Sequence, residues 1–193
     1  MCVVITTPGR KERPTLRQLE LCEQVNPHGS GLAWLQGRFA HYAKGLSAQE
    51  IHARLQDLDG PAVVHFRIAS VGRVCPELRH PFPVTHRAEL KTCGRARAVL
   101  FQNGTWHDYG RWREHLGISY GRKEPVSDTR VAASLVARFG FDFLKRADFC
   151  RWVLLDGDGI HHIGQWTKHG GCQNSNLYWL RDDASDFWDL MQT

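Results

Sequence analysis

The sequence predicts an α+β fold in which antiparallel sheets carry helices on their outer sides. Three observations lead there. Patterned segments run as strands, helices, strands, helices and then a long hairpin, not as the regular β-α alternation of a doubly wound parallel sheet. Two pairs of apolar runs are separated by turn residues short enough for hairpins. With 193 residues the chain can bury one substantial core and is short for two, so a single domain over 1–193 is expected.

Residues 2–6, CVVIT, are apolar and β-branched and suit a buried strand. PTLRQLELCEQV (14–25) reads as a helix entered through Pro14 and closed before NPHGSG, where Pro27, Gly29 and Gly31 mark a loop. In GLAWLQGRFAHYAKG (31–45), Gly37 divides two short runs, a hairpin pattern. SAQEIHARLQDL (47–58) opens on a capping box, Ser47 with Glu50, followed by Ile51, Leu55 and Leu58 at helical spacing. PAVVHFRIAS (61–70) and ARAVLFQNG (96–104) are strands, the second running into an Asn-Gly turn. Between them VGRVCPELRHPFPV (71–84) has too much Pro and Gly for regular structure and reads as a functional loop or an irregular crossover. SDTRVAASLVARFG (127–140) is a helix capped at Ser127 or Asp128 and stopped at Gly140. CRWVLLDGDGIHHIGQW (150–166) is two strands around a tight turn, and SNLYWL (175–180) is read as a closing strand.

Composition excludes several classes. No apolar run approaches the roughly 20 residues of a membrane helix. The charges of MCVVITTPGRKERP follow its apolar run instead of preceding it, so no secretory leader is read and a cytoplasmic protein is expected. The net charge of +5 is scattered among acids, and basicity of that kind speaks to association without marking a nucleic-acid site. Six widely spaced cysteines with no CxxC pair fit reduced thiols. His161 and His162 alternate across a strand, DGDG (156–159) lacks the later ligands of a calcium loop, and Cys75, His80, Cys93 and Cys172 lack a zinc spacing. No metal or other cofactor is expected. Trp106, Trp112, Trp179 and Trp188 read as packing residues, not as a platform for bases.

Four segments carry polar groups that a core does not need. With Met1 in place, Cys2 is one more small apolar residue; with Met1 removed, it holds a thiol and a free amine together. Arg67 stands among Val63, Val64, Phe66 and Ile68 and, if inside, needs a partner that a structural carboxylate would also supply. Asn103-Gly104 serves equally as a simple turn, and Asp128 as a simple helix cap.

Taken together, MC at the start, HFRIASVG (65–72), RHPFPV (79–84), QNG (102–104) and SDT (127–129) resemble, in the same order, the class II glutamine amidotransferase domain of the N-terminal nucleophile (Ntn) hydrolases. NPHGSGLAW matches that domain's early glycine-containing loop, and SNLYW its closing segment. The resemblance implies a four-layer αββα sandwich of two antiparallel sheets flanked by helices. It also implies a glutaminase-type amidohydrolase in which Cys2 attacks the γ-carboxamide of glutamine, or of another γ-glutamyl amide, and forms a thioester. The α-amine of Cys2 would move the protons, since such an amine titrates near pH ~7.7–8.0, where a base is most useful.

By the same resemblance, Asn103 and Gly104 supply the oxyanion donors, Arg67 takes the α-carboxylate and Asp128 the α-ammonium. His80 fits the family's loop beside the substrate, and equally a histidine satisfied by backbone hydrogen bonds. Ile68 and Val71 stand where the family often has Trp and a second His, Gln102 replaces the usual His before Asn-Gly, Arg130 a common Glu, and His28 an acid. The released ammonia would go to water or to a separate acceptor synthase, the chain being read as a free-standing version of the domain. A binding protein with a basic surface that keeps the fold without turnover is the alternative.

Overall fold

The structure is a computed structural model that describes residues 1–147 and 149–182; Trp188 lies outside the described residues. In chain order the elements are β1 (Val3–Thr7), α1 (Leu16–Val25), β2 (Ser30–Gln36), β3 (Phe39–Lys44), α2 (Ala48–Gln56), β4 (Ala62–Phe66), β5 (Phe82–Pro83), β6 (Cys93–Ala96), β7 (Ala98–Asn103), α3 (Tyr109–His115), α4 (Asp128–Phe139), β8 (Arg151–Asp156), β9 (Gly159–Ile163), β10 (Thr167–His169) and β11 (Cys172–Asn174). They form a seven-stranded sheet, β10-β11-β1-β4-β2-β3-β6, and a four-stranded sheet, β5-β7-β8-β9. All pairings are antiparallel, as the block order of the sequence predicts.

Side chains alternate across each strand, so every strand divides its residues between two faces. Val3 and Ile5 of β1, Leu32 of β2 and Ala62, Val64 and Phe66 of β4 pack with Leu19, Cys22, Ile51 and Leu55 of α1 and α2. The opposite parity, Val4, Ala33 and Val63, meets Val99, Phe101, Val153 and Leu155 of the second sheet. On that sheet's other side, Leu100, Trp152 and Leu154 pack against Val131, Leu135 and Val136 of α4. The buried apolar side chains thus fall into three layers.

The helix ends follow local chemistry. Ser47 caps α2 with Glu50 in a reciprocal box, and Thr15 does the same for α1 with Gln18, a signal the sequence reading passed over in favour of Pro14. Ser127 caps α4, leaving Asp128 as its first residue, and Gly140 ends it at φ +82°. Five elements go beyond the sequence reading: β5, β6, α3, β10 and β11. β6 is mostly exposed and β-poor in sequence, and α3 is a short helix with no fully buried residue.

One expectation is corrected. SNLYWL is not a strand: the closing strand is β11, and Tyr178–Asp182 is a 3-10 turn. Past β11 the Ser175 N–H still donates to the Val4 carbonyl at 2.9 Å, and side chains take over from the ladder, Ser175 Oγ accepting from the Val4 N–H at 2.9 Å and Asn176 Nδ2 donating to the Cys2 carbonyl at 2.7 Å. Trp179 then drops into the core. Among the described residues no helix is long and apolar enough to cross a membrane.

Candidate active site

Cys2 stands at the head of β1, and the pairing of Val3 with Phe66 lays it beside the residues that leave β4. Its thiol donates to the Ile68 carbonyl at 3.3 Å, and the Ile68 N–H lies 3.4 Å from Sγ. Burial pushes the thiol pKa up; the Ile68 backbone, the N-terminal charge and the Arg67 guanidinium act against it. Met1 in front of it is exposed.

Arg67 is 3% exposed. Its partners are carbonyl oxygens of its own loop, Val71 at 3.2 Å and Arg73 at 3.3 Å, and no carboxylate pairs with it among the described residues. Burial lowers its pKa. A guanidinium has five N–H donors, so three remain after the loop is tied.

The end of β7 divides by parity. Asn103 has the parity of Phe101 and faces the other sheet, where its fully buried Nδ2 donates to Ser175 Oγ at 2.8 Å. Gln102 has the parity of Leu100 and faces α4. Its Nε2 donates to Asp128 Oδ2 at 2.8 Å and to the Gly104 carbonyl at 3.1 Å. Gly104 turns at φ +112°, and a Cβ there would press to 3.1 Å from the Phe149 carbonyl and 3.3 Å from Cys150 Sγ, so glycine is required.

Asp128 also accepts from the backbone N–H groups of Trp106 at 3.0 Å and Thr129 at 2.9 Å. Burial raises its pKa, and these bonds oppose the rise. His80 is buried with its Nε2 2.9 Å from Thr129 Oγ1 and its ring centroid 4.0 Å from that of His65. Burial and neighbouring cations hold His80 well below the usual imidazole range and push His65 down to about 3. Lys44, lying 4.6 Å from the Phe82 ring centroid and donating to the Glu77 carbonyl, is pushed down to about 7 by burial.

Cys2, Arg67, His80, Gly104 and Asp128 line one cavity of about 20 Å³; Asn103 does not line it. A space of that size holds a water molecule and no amino acid. Larger clefts of about 530 Å³, one beside Arg38 and Asp156 and another beside Trp34 and Arg54, hold none of these groups. The structure places five of the six residues named from the sequence on one cavity and leaves Asn103 off it. The sequence reading missed Gln102 as a junction, although Gln102 shares the face of Leu100, and it missed Thr129, Lys44 and His65.

No protein-family model matches the chain, and no curated protein matches it. Two solved structures are similar. One is glutamine phosphoribosylpyrophosphate amidotransferase from B. subtilis complexed with ADP and GMP, with a TM-score of 0.51 and 20% identity over 81% of this chain and 35% of that one. The other is described as the allosteric regulatory enzyme of purine biosynthesis, with a TM-score of 0.52 and 20% identity over 81% of this chain and 36% of that one. The chain spans about a third of the length of either protein. Its mixed α+β fold, two antiparallel sheets with helices, is like that of the matching part of those two structures.

Proposed function

We propose that this chain, as a single domain, hydrolyses the γ-carboxamide of glutamine or a related γ-glutamyl amide through Cys2, once Met1 has been removed. The observation that carries the reading is that Cys2, Arg67, Gly104 and Asp128, from four separated stretches, line one cavity. The likeness in fold to a glutamine amidotransferase supports it. The three apolar layers support a four-layer αββα arrangement of the Ntn-hydrolase kind.

In the proposed chemistry the freed α-amine of Cys2 takes the thiol proton, directly or through a water, and the sulfur attacks the amide carbon. Negative charge gathers on the former carbonyl oxygen. The Gly104 N–H is its donor from the cavity wall, while Asn103, outside the lining, gives its Nδ2 to Ser175. The protonated amine returns the proton to the leaving nitrogen, the C–N bond breaks and ammonia departs, leaving a thioester. Water adds to the thioester carbon, the C–S bond breaks, and the free acid and thiol are restored.

Arg67 presents its three remaining N–H donors to the α-carboxylate, and Asp128 faces the α-ammonium. Because the cavity is water-sized, the loop over it, residues 68–74, moves aside for the amide to enter. We assign the ammonia to water or to a separate acceptor enzyme in the cytoplasm.

The test is ammonia release from L-glutamine by protein whose mass shows Cys2 as the first residue, beside the Cys2→Ala variant and protein that retains Met1. Turnover by the first alone is expected; equal release by Cys2→Ala overturns the reading. The water-sized cavity favours a second reading, a non-catalytic binding protein with a basic surface. It is upheld if Met1-free protein binds an amide and leaves it intact.

A further inference from the structure

Three cavity-lining groups and Cys150 meet at the side chain of Gln102. Its Nε2 reaches Asp128 Oδ2 at 2.8 Å and the Gly104 carbonyl at 3.1 Å, with Cys150 Sγ at 3.4 Å, and its Oε1 accepts from the Thr129 hydroxyl at 2.7 Å. The carboxylate fixes which way the amide points, since the reverse orientation would set oxygen against oxygen. Thr129 gives its one hydroxyl proton to Gln102, so at 2.9 Å it can only accept from His80, which is therefore protonated at Nε2. His80 Nδ1 is buried without a partner. One neutral amide thus orients a carboxylate, a turn carbonyl, a hydroxyl and an imidazole. An imidazole in its place could not donate from one nitrogen to two acceptors.

We propose that Gln102 is a positioning residue that aims the Asp128 carboxylate into the cavity and so makes the site select amides bearing an α-ammonium group. This rests on the reading of Asp128 as the ammonium's partner. The two other donors to Asp128 are backbone groups that no side-chain change removes, which leaves Gln102 as the adjustable one.

Gln102→Met keeps the length and apolar stem and removes the donors. The experiment compares Met1-free wild type and Gln102→Met on L-glutamine and on glutaramate, the same amide without its α-amino group. A fall in kcat/KM of about tenfold or more on glutamine, carried by KM, is expected from loss of a bond to a charged group. Turnover of glutaramate, which carries no ammonium for Asp128, is expected to fall severalfold less than that of glutamine. Equal losses on both amides, the mark of structural damage, overturn the proposal. In wild type, nitrogen-15 spectra are expected to show His80 protonated at Nε2; protonation at Nδ1 overturns it. If wild type releases no ammonia from glutamine, the hydrolytic reading fails. The Asp128 carboxyl midpoint, followed by carbon-13 NMR, then decides this proposal: a rise in Gln102→Met supports it and an unchanged midpoint sinks it. Should Gln102→Met not fold, Gln102→Asn, one methylene short, is measured in the same way.

Discussion

The Ser70 hydroxyl lies 2.8 Å from the Thr105 hydroxyl and ties the loop after β4 to the loop after β7, the two segments that bound the Cys2 cavity. The bond is solvent-exposed, between exposed Ser70 and half-buried Thr105, so it can break without disturbing a core. A net hydrogen bond contributes about 0.5–1.5 kcal/mol, enough to shift an open-closed balance by roughly two- to tenfold. Ser70→Ala is therefore expected to speed alkylation of Cys2 by iodoacetamide by about that factor, read by mass spectrometry of the Cys2 peptide. Global stability should change by no more than about 0.5 kcal/mol.

Arg67 divides its donors between its own loop and the cavity, and a lysine cannot do both. Its ammonium is one point with three protons, whereas the guanidinium holds the Val71 and Arg73 carbonyls and still presents a fork. Arg67→Lys is expected to raise KM for glutamine about tenfold to a hundredfold, with kcat changed far less, since hydrogen bonds to charged groups contribute roughly 1.5–3 kcal/mol. Steady-state ammonia release measures it; an unchanged KM removes Arg67 from substrate binding.

Lys44 gives the fold a pH dependence of known sign. Its folded pKa, about 7, lies below the unfolded value of ~10.4, so between the two the unfolded chain binds the extra proton. Stability therefore rises with pH across that window. Lys44→Met lacks this slope, and the difference in urea midpoint, wild type minus variant, is expected to increase from pH 7 to pH 10. A flat difference would mean the ammonium is not desolvated.

Gly31 of β2 lies against the backbone at the cavity wall: a Cβ there would fall 1.7 Å from the His80 carbonyl oxygen. Because the neighbour is backbone, relief requires moving the segment that carries His80. Gly31→Ala is expected to cost roughly 1–3 kcal/mol in urea unfolding, the range for overpacking a tight interior. Ammonia release is expected to fall with it, through displacement of His80.

Much of the fold was legible because strands and helices declare themselves locally. Val3–Thr7, the hairpin about Gly37, the Ser47-Glu50 box and the Ser127-to-Gly140 helix are all patterns within a dozen residues. β6 and α3 escaped because their stability is borrowed from neighbours: β6 is an exposed edge held by its ladder to β3, and α3 packs only in part. SNLYWL misled for the complementary reason, since its apolar residues serve a turn whose polar Ser175 and Asn176 bind β1.

The site was legible only as residue types in an order. That order named Cys2, Arg67, His80, Gly104 and Asp128, which do share a cavity, and it named Asn103, which does not line it. Gln102 was visible only as a departure from a pattern. Its role depends on strand parity meeting the first turn of α4, a contact between positions 26 apart that no local signal encodes.

The sequence by itself determined the order of the elements, their caps and the set of chemically able side chains, because each depends on a few adjacent residues. Only the tertiary structure decided that β1 pairs with β4 so that Cys2 meets Arg67, that Asn103 turns to Ser175 while Gln102 turns to Asp128, and that the cavity between them admits a water. Hydrogen-bond direction and desolvation are properties of the assembled interior, set by which distant faces pack together.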